Sequence, residues 1–294
     1  MQKGKKLFFG SGTAIVTPFF DNEVDYFSLG NLIDYQINEG TDAIVILGTT
    51  GEAPTISEEE RGRIISFARE RVGGRVPLIV GAGTNSTDST VRYVKGAHEL
   101  GADGVLCVTP YYNKPTQDGL FKHYERVAAS VDIPIILYNV PTRTGVSLGI
   151  SALERLAKID NVIGIKEASG GVSFTEEIIA CFKDRFAVYT GNDDLTFSNL
   201  ALGGDGVVSV ASNLFPKKFH TLCTDFKDGK QEKSRETQLK LLPFIKEIFF
   251  EPNPVPIKEA LYLKGLIRSD EVRLPLVKST RREELSRLIK EEKI

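Results

Sequence analysis

Eight short apolar runs recur along this chain, separated by amphipathic segments. They are Gly12 to Val16, Ala43 to Leu47, Leu78 to Gly81, Gly104 to Val108, Ile133 to Tyr138, Val162 to Lys166, Phe186 to Tyr189 and Gly206 to Val210. Most are continuously apolar, the pattern of parallel strands buried on both faces. Several intervening helices have readable ends. Ser57-Glu58-Glu59-Glu60 and Ser151-Ala152-Leu153-Glu154 both fit a capping box, and Gly40 and Gly101 stand where a left-handed residue stops a helix. Eight such strand-helix units predict an α/β fold, a (β/α)8 TIM barrel. A doubly wound open sheet is the competing architecture, but no early G-x-G-x-x-G turn with an acidic residue closing the next strand occurs. The barrel is assigned to residues 1–229. Residues 230–294, punctuated by Pro252, Pro254, Pro256 and Pro275, read as a C-terminal helical extension.

Composition excludes several classes. Lys+Arg total 37 against 39 Asp+Glu, a net charge of -2, so no basic excess points to nucleic acid. Cys107, Cys181 and Cys223 lie far apart and read as reduced cytosolic thiols, not as a disulfide framework or a zinc site. Lys3, Lys5 and Lys6 precede an apolar Leu7-Phe8-Phe9, but that run stops at Gly10-Ser11-Gly12, too short for a signal-peptide core. No other apolar run reaches membrane-spanning length. A soluble cytoplasmic protein is expected.

Barrel enzymes build their sites at the carboxyl ends of the strands. There the chain places Gly48-Thr49-Thr50-Gly51-Glu52, Thr109-Pro110-Tyr111-Tyr112-Asn113, Tyr138-Asn139-Val140-Pro141-Thr142-Arg143, Lys166, and Gly191-Asn192-Asp193-Asp194. Lys166 closes an apolar strand, where burial disfavours an ammonium and frees the amine to attack a carbonyl carbon. Each piece has a plainer reading by itself. Lys166 can pair with Glu167 or Glu52, the tyrosines can be packing aromatics, Arg143 a solvated charge, and the glycines turn formers. Asp193 and Asp194 can hold a cation or cap the helix that starts near Leu195. Convergence on one barrel face favours the joint functional reading. The scattered His98, His123 and His220 make a histidine metal cage unexpected, and no P-loop occurs. Chemistry by side chains alone, without cofactor or metal, is expected.

These motifs closely resemble the dihydrodipicolinate synthase family of pyruvate-dependent, class I aldolase-type enzymes. The likeness extends through Gly164-Ile165-Lys166-Glu167-Ala168, Gly206-Val207-Val208-Ser209-Val210 and Glu251-Pro252-Asn253-Pro254-Val255-Pro256-Ile257-Lys258, in family order over nearly the whole chain. The resemblance implies condensation of pyruvate with L-aspartate 4-semialdehyde to 4-hydroxy-tetrahydrodipicolinate, in lysine and diaminopimelate biosynthesis. It implies that Lys166 forms the Schiff base, that Tyr138 moves protons, and that Thr49 and Tyr112 complete a hydroxyl relay. Thr50 would contact the pyruvate carboxylate and Arg143 that of the semialdehyde, with the backbone around Gly191 and Val208 lining the pocket.

By the same resemblance the assembly is a homotetramer, a dimer of dimers, with Tyr112 reaching into the neighbouring subunit's site. Related pyruvate-dependent aldolases, the N-acetylneuraminate lyase and sugar-acid aldolase types, share the barrel, the lysine and the tyrosine. A non-catalytic small-molecule-binding barrel is the alternative from another class. The lysine-inhibited members carry histidines where Glu58 and Arg61 stand and an acid where Ser89 stands, while Tyr111 and Asn85 match the rest of that effector site. Weak or absent inhibition by L-lysine is therefore expected.

Overall fold

The eight buried runs close on themselves. A computed structural model describes residues 6–290, so Lys3, Lys5 and the last four residues of the C-terminal extension lie outside the described residues. The barrel strands are β1 Gly10–Ala14, β2 Ala43–Ile46, β3 Leu78–Gly81, β4 Gly104–Val108, β5 Ile135–Asn139, β6 Val162–Glu167, β7 Ala187–Thr190 and β8 Gly206–Ser209. Each pairs in parallel with the next, and β8 pairs with β1, which completes a (β/α)8 barrel. The helices between them are α1 Tyr26–Asn38, α2 Glu58–Val72, α3 Thr87–Glu99, α4 Gln117–Ala128, α5 Ile150–Leu156, α6 Val172–Phe182, α7 Thr196–Leu202 and α8 Pro216–Lys227.

Continuous apolarity of the strands has a direct cause. Residues such as Ile44, Ile46, Val80, Val105 and Leu137 pack outward into the helix layer. Their neighbours Val45, Ile79, Leu106 and Ile136 fill the barrel interior. Phe8 plugs the amino end, its ring stacked 4.3 Å from that of Tyr189, whose hydroxyl donates to the Phe8 carbonyl at 2.7 Å.

Ser57 does cap α2, in a reciprocal box with Glu60. Gly40 and Gly101 follow the ends of α1 and α3 with φ of 89° and 82°. Ser151 corrects the second capping box. The preceding segment is tied down by Leu148 N–H to Asn139 and Gly149 N–H to Gln117, so the helix starts at Ile150 and Ser151 lies inside it. The first strand begins two residues earlier than expected, because Gly10 and Ser11 pair with Gly206 and Val207 through backbone alone.

One irregularity sets the phase of the barrel's sixth strand. Ile135 pairs with Val162, but Ile136 pairs with Gly164, so β6 carries one extra residue there. Side chains alternate along a strand, and a one-residue insertion reverses which face every later residue takes. Beyond the bulge, Tyr138 pairs with Lys166 and Asn139 with Glu167. Gly164 is needed at this point, since a Cβ there would sit 2.6 Å from the Ala187 carbonyl oxygen.

After the barrel come α9 Gln231–Ile248, α10 Val255–Leu263 and α11 Arg282–Lys290. No helix among the described residues is long and apolar enough to cross a membrane. The chain between α10 and α11 returns to the start of α2, where the Arg273 guanidinium grips Glu60 with two hydrogen bonds of 2.9 and 2.5 Å.

That grip makes an acid-sensitivity prediction. Arg273, helped by the Ser57 backbone, holds the Glu60 carboxyl at about 2, against an ordinary 4.5. A depressed carboxyl stabilises the fold fully above pH 4.5, and the contribution disappears as pH falls through about 2. After screening at this partly exposed site, its size is on the order of 1–2 kcal/mol. Denaturant unfolding of Glu60→Gln should show that deficit near pH 6 and converge on the unsubstituted protein near pH 2. Parallel curves over the whole range would contradict it.

Candidate active site

Six of the eight residues singled out in the sequence converge on one cavity at the carboxyl end of the barrel. It has a volume of about 170 Å³, and its lining includes Thr49, Thr50, Tyr138, Arg143, Lys166 and Gly191. They arrive from four strand ends. Thr49 and Thr50 follow β2, Tyr138 is in β5, Arg143 lies on a single helical turn Pro141–Thr144, Lys166 is in β6, and Gly191 follows β7.

Lys166 is 5% exposed, and its Nζ lies 4.4 Å from the centre of the Tyr138 ring. Neither carboxylate weighed as its partner is available. Glu167 turns to the opposite face, accepting from Asn139 Nδ2 at 2.7 Å and from Ser169 N–H at 2.5 Å, and burial pushes its carboxyl up. Glu52 is held by Lys258 at 2.5 Å. The lysine stem passes directly over Gly191, where a Cβ would lie 2.6 Å from Lys166 Cε and 2.7 Å from Ala168 Cβ. Gly191 thus contributes the space that its missing side chain leaves.

The other two residues lie elsewhere. Val208 is buried in the barrel interior, and Val210 lines the cavity in its place. The strand ends at Ser209, and Val210, with helical backbone just beyond it, reaches the cavity wall above Val208. Tyr112 is 88% exposed, with a left-handed φ of 71°. Its loop is braced where Asn113 Nδ2 donates to the Asn85 carbonyl at 2.9 Å.

The Asp193 side chain does not cap the helix that follows it. It is fully buried, and its carboxylate accepts the N–H groups of Val210 and Ala211 at 3.1 and 3.0 Å, bracing the end of β8. Burial pushes this carboxyl up to about 6, against the pull of its hydrogen bonds and of the Lys166 charge. Sequence reading also assigned no role to Asn253 or Phe249, which reach the cavity from the chain after α9. Asn253 belongs to a quoted motif, yet nothing local names its contact, the Thr50 hydroxyl 203 positions away.

A second cavity of about 400 Å³ adjoins the first and shares Thr49, Tyr138 and Arg143 with it. Arg61 forms part of its wall. The guanidinium donates to the Gly81 carbonyl at 2.7 Å and lies 4.3 Å from the centre of the Tyr93 ring. Glu58 faces away and pairs with Arg92 at 2.9 Å.

A buried amine without a carboxylate partner among the described residues, in one cavity with a phenol and two threonine hydroxyls, is equipped to attack a carbonyl and to pass protons without adding fixed charge. Arg143 at the mouth adds a grip suited to a carboxylate.

Known proteins are similar to this chain over nearly its whole length. Residues 7–292 match the model of the Dihydrodipicolinate synthetase family. The chain is 50% identical over 275 residues to a 4-hydroxy-tetrahydrodipicolinate synthase of Thermotoga neapolitana, spanning 92% of this chain and 93% of that protein. The dihydrodipicolinate synthase structure from Thermotoga maritima matches with a TM-score of 0.95 at 49% identity, covering 97% of this chain and 99% of the other. A monomeric dihydrodipicolinate synthase variant matches with a TM-score of 0.95 at 48% identity, covering 98% and 97%. Likeness this high, over nearly the full length of both chains, extends well beyond a common barrel: the chain belongs to the dihydrodipicolinate synthetase family.

Proposed function

We propose that this enzyme condenses pyruvate with L-aspartate 4-semialdehyde to 4-hydroxy-tetrahydrodipicolinate, with Lys166 as the covalent nucleophile. The observation that carries the reading is the buried amine of Lys166, free of a carboxylate partner among the described residues and set against the Tyr138 ring. Its Nζ adds to the keto carbon of pyruvate, and loss of water leaves a cationic imine. That cation draws electrons from the adjacent methyl group, which loses a proton to give an enamine. The enamine carbon bonds to the aldehyde carbon, whose oxygen takes a proton and becomes the hydroxyl. The substrate amino group then attacks the imine carbon and displaces Lys166 as the ring closes. Tyr138 and Thr49 carry the protons, Thr50 meets the pyruvate carboxylate, and Arg143 meets the semialdehyde carboxylate. Such chemistry on small water-soluble acids suits a cytoplasmic enzyme.

Borohydride reduction in the presence of pyruvate should add the reduced three-carbon adduct to Lys166, read by peptide mass spectrometry, and Lys166→Ala should abolish it. An adduct elsewhere would refute the assignment. Turnover with aspartate semialdehyde and none with N-acetylneuraminate separates this activity from that of the related lyases.

The Tyr112 side chain completes the relay in a second copy of the chain. Its exposure and left-handed backbone support this, because a tyrosine there costs about 1–3 kcal/mol that its own subunit does not recover. Tyr112→Phe should lower kcat by about tenfold or more while leaving the sedimentation behaviour of a tetramer unchanged. A fully active monomer at assay concentrations would rule out the shared site.

L-Lysine should inhibit weakly. The effector's ammonium would face the Arg61 guanidinium, and Glu58 is engaged with Arg92. Missing the charge-assisted partner costs about 1.5–3 kcal/mol, roughly ten- to a hundredfold in affinity. Half-inhibition below about 1 mM in a lysine titration would overturn this.

A further inference from the structure

The proline-rich motif Glu251 to Lys258 is unused by the chemistry above, although it lies beside it. Asn253 is 7% exposed and lines the catalytic cavity. Its Nδ2 donates to Thr50 Oγ1 at 3.0 Å. Five residues on, Lys258 is fully buried and donates to Glu52 at 2.5 Å and to the Glu271 carbonyl at 2.7 Å. The Arg273 N–H donates to the other Glu52 oxygen at 3.0 Å. Lys258 Nζ also lies 4.0 Å from the centre of the Phe19 ring. Glu52 itself holds a left-handed φ of 54°, ending the loop that carries Thr49 and Thr50. These three anchors of the loop, Asn253, Lys258 and Arg273, all come from more than 200 positions away.

We propose that Asn253 is a positioning residue that directs the Thr50 hydroxyl hydrogen at the pyruvate carboxylate, on a loop held in place by Lys258. A threonine hydroxyl has one hydrogen to give and two lone pairs to receive. An amide N–H can only donate to it. With Asn253 occupying a lone pair, the Thr50 hydrogen has no reason to turn into the wall and is left for an acceptor in the cavity. An aspartate side chain at 253 would reverse the polarity, drawing the Thr50 hydrogen to itself and setting a negative charge beside a carboxylate substrate. The proposal rests on the reading that Thr50 meets pyruvate, so the test includes Thr50→Val.

The measurement is the pyruvate concentration giving half-maximal borohydride trapping at Lys166, together with kcat and both KM values, on the full-length protein. Asn253→Ala should raise the pyruvate KM about five- to tenfold, with the semialdehyde KM and kcat within about threefold. Asn253→Asp should raise it further, toward a hundredfold. In a Thr50→Val background, Asn253→Ala should cause no additional loss, since both changes remove the same interaction. A purely structural role would instead lower the melting temperature and shift both KM values alike. If Asn253→Ala does not fold, Asn253→Asp, which keeps the side-chain shape, carries the test. Were Oδ1 the atom facing Thr50, Asn253→Ala would free the Thr50 hydrogen and leave the pyruvate KM unchanged or lower, and the proposal would fall. It also falls if both Asn253 variants keep the pyruvate KM within twofold while Thr50→Val raises it. If Thr50→Val itself leaves the pyruvate KM unchanged, the reading of Thr50 fails, and the inference fails with it.

Discussion

Register between β5 and β6 is the constraint on which the site depends. Parallel strands bring residues side by side, and side-chain alternation decides whether a pair faces the barrel interior or the helices. The single extra residue of β6 at Ile163 shifts the pairing so that Lys166 falls opposite Tyr138 and faces inward. In a regular ladder continuing from Ile135 and Val162, Ile165 would face Tyr138, and Lys166 would face outward beside Asn139. The hydrogen bond from Asn139 Nδ2 to Glu167 at 2.7 Å ties the outward pair together and fixes the register from the helix side. A bulge next to an active site commonly re-aims a side chain, and here it aims the amine.

Two buried lysines show how differently one residue type is used. Lys258 is completely buried and surrounded by partners: a carboxylate, a carbonyl and the face of Phe19. Burial still lowers its ammonium to about 8, despite the opposing pull of Glu52. Its place is structural, since removing either partner would leave a buried charge uncompensated, a loss of about 3–5 kcal/mol. Lys166 has an aromatic ring, a glycine and a cavity around it in place of such a cage. An amine surrounded that way is open to a small electrophile.

The chain beyond the barrel also takes part in the site. Asn253 and Phe249 line the cavity, Gln238 donates to the Asp193 carbonyl at 3.1 Å, and Arg273 joins α2 to the returning tail. Asp193 in turn braces Val210 at the end of β8. The C-terminal helices therefore hold the rim from one side, while the helices around the barrel hold the strands from the other.

The order of strands and helices was legible because burial on both faces leaves continuous apolar runs, a local property of composition. Lys166, Tyr138, Thr49, Thr50, Arg143 and Gly191 were legible because barrel topology delivers every strand's carboxyl end to one rim, so position along a strand already implies proximity. Three things were not. The bulge at Ile163 was not read, since Val162-Ile163-Gly164-Ile165 also fits a regular strand and its local hint is a strand glycine, Gly164. The end of β8 was not legible either, since Val207-Val208-Ser209-Val210 carries no stop signal, yet the strand ends at Ser209 and Val210 turns to the cavity with helical backbone. The pairings of Asn253 with Thr50 and Lys258 with Glu52 join segments more than 200 positions apart, and only packing of the tail against the rim brings them together. Local patterns determine elements and their order. Hydrogen bonds and charges between distant segments are settled by tertiary structure, since their partners are chosen by what folding brings within about 3 Å.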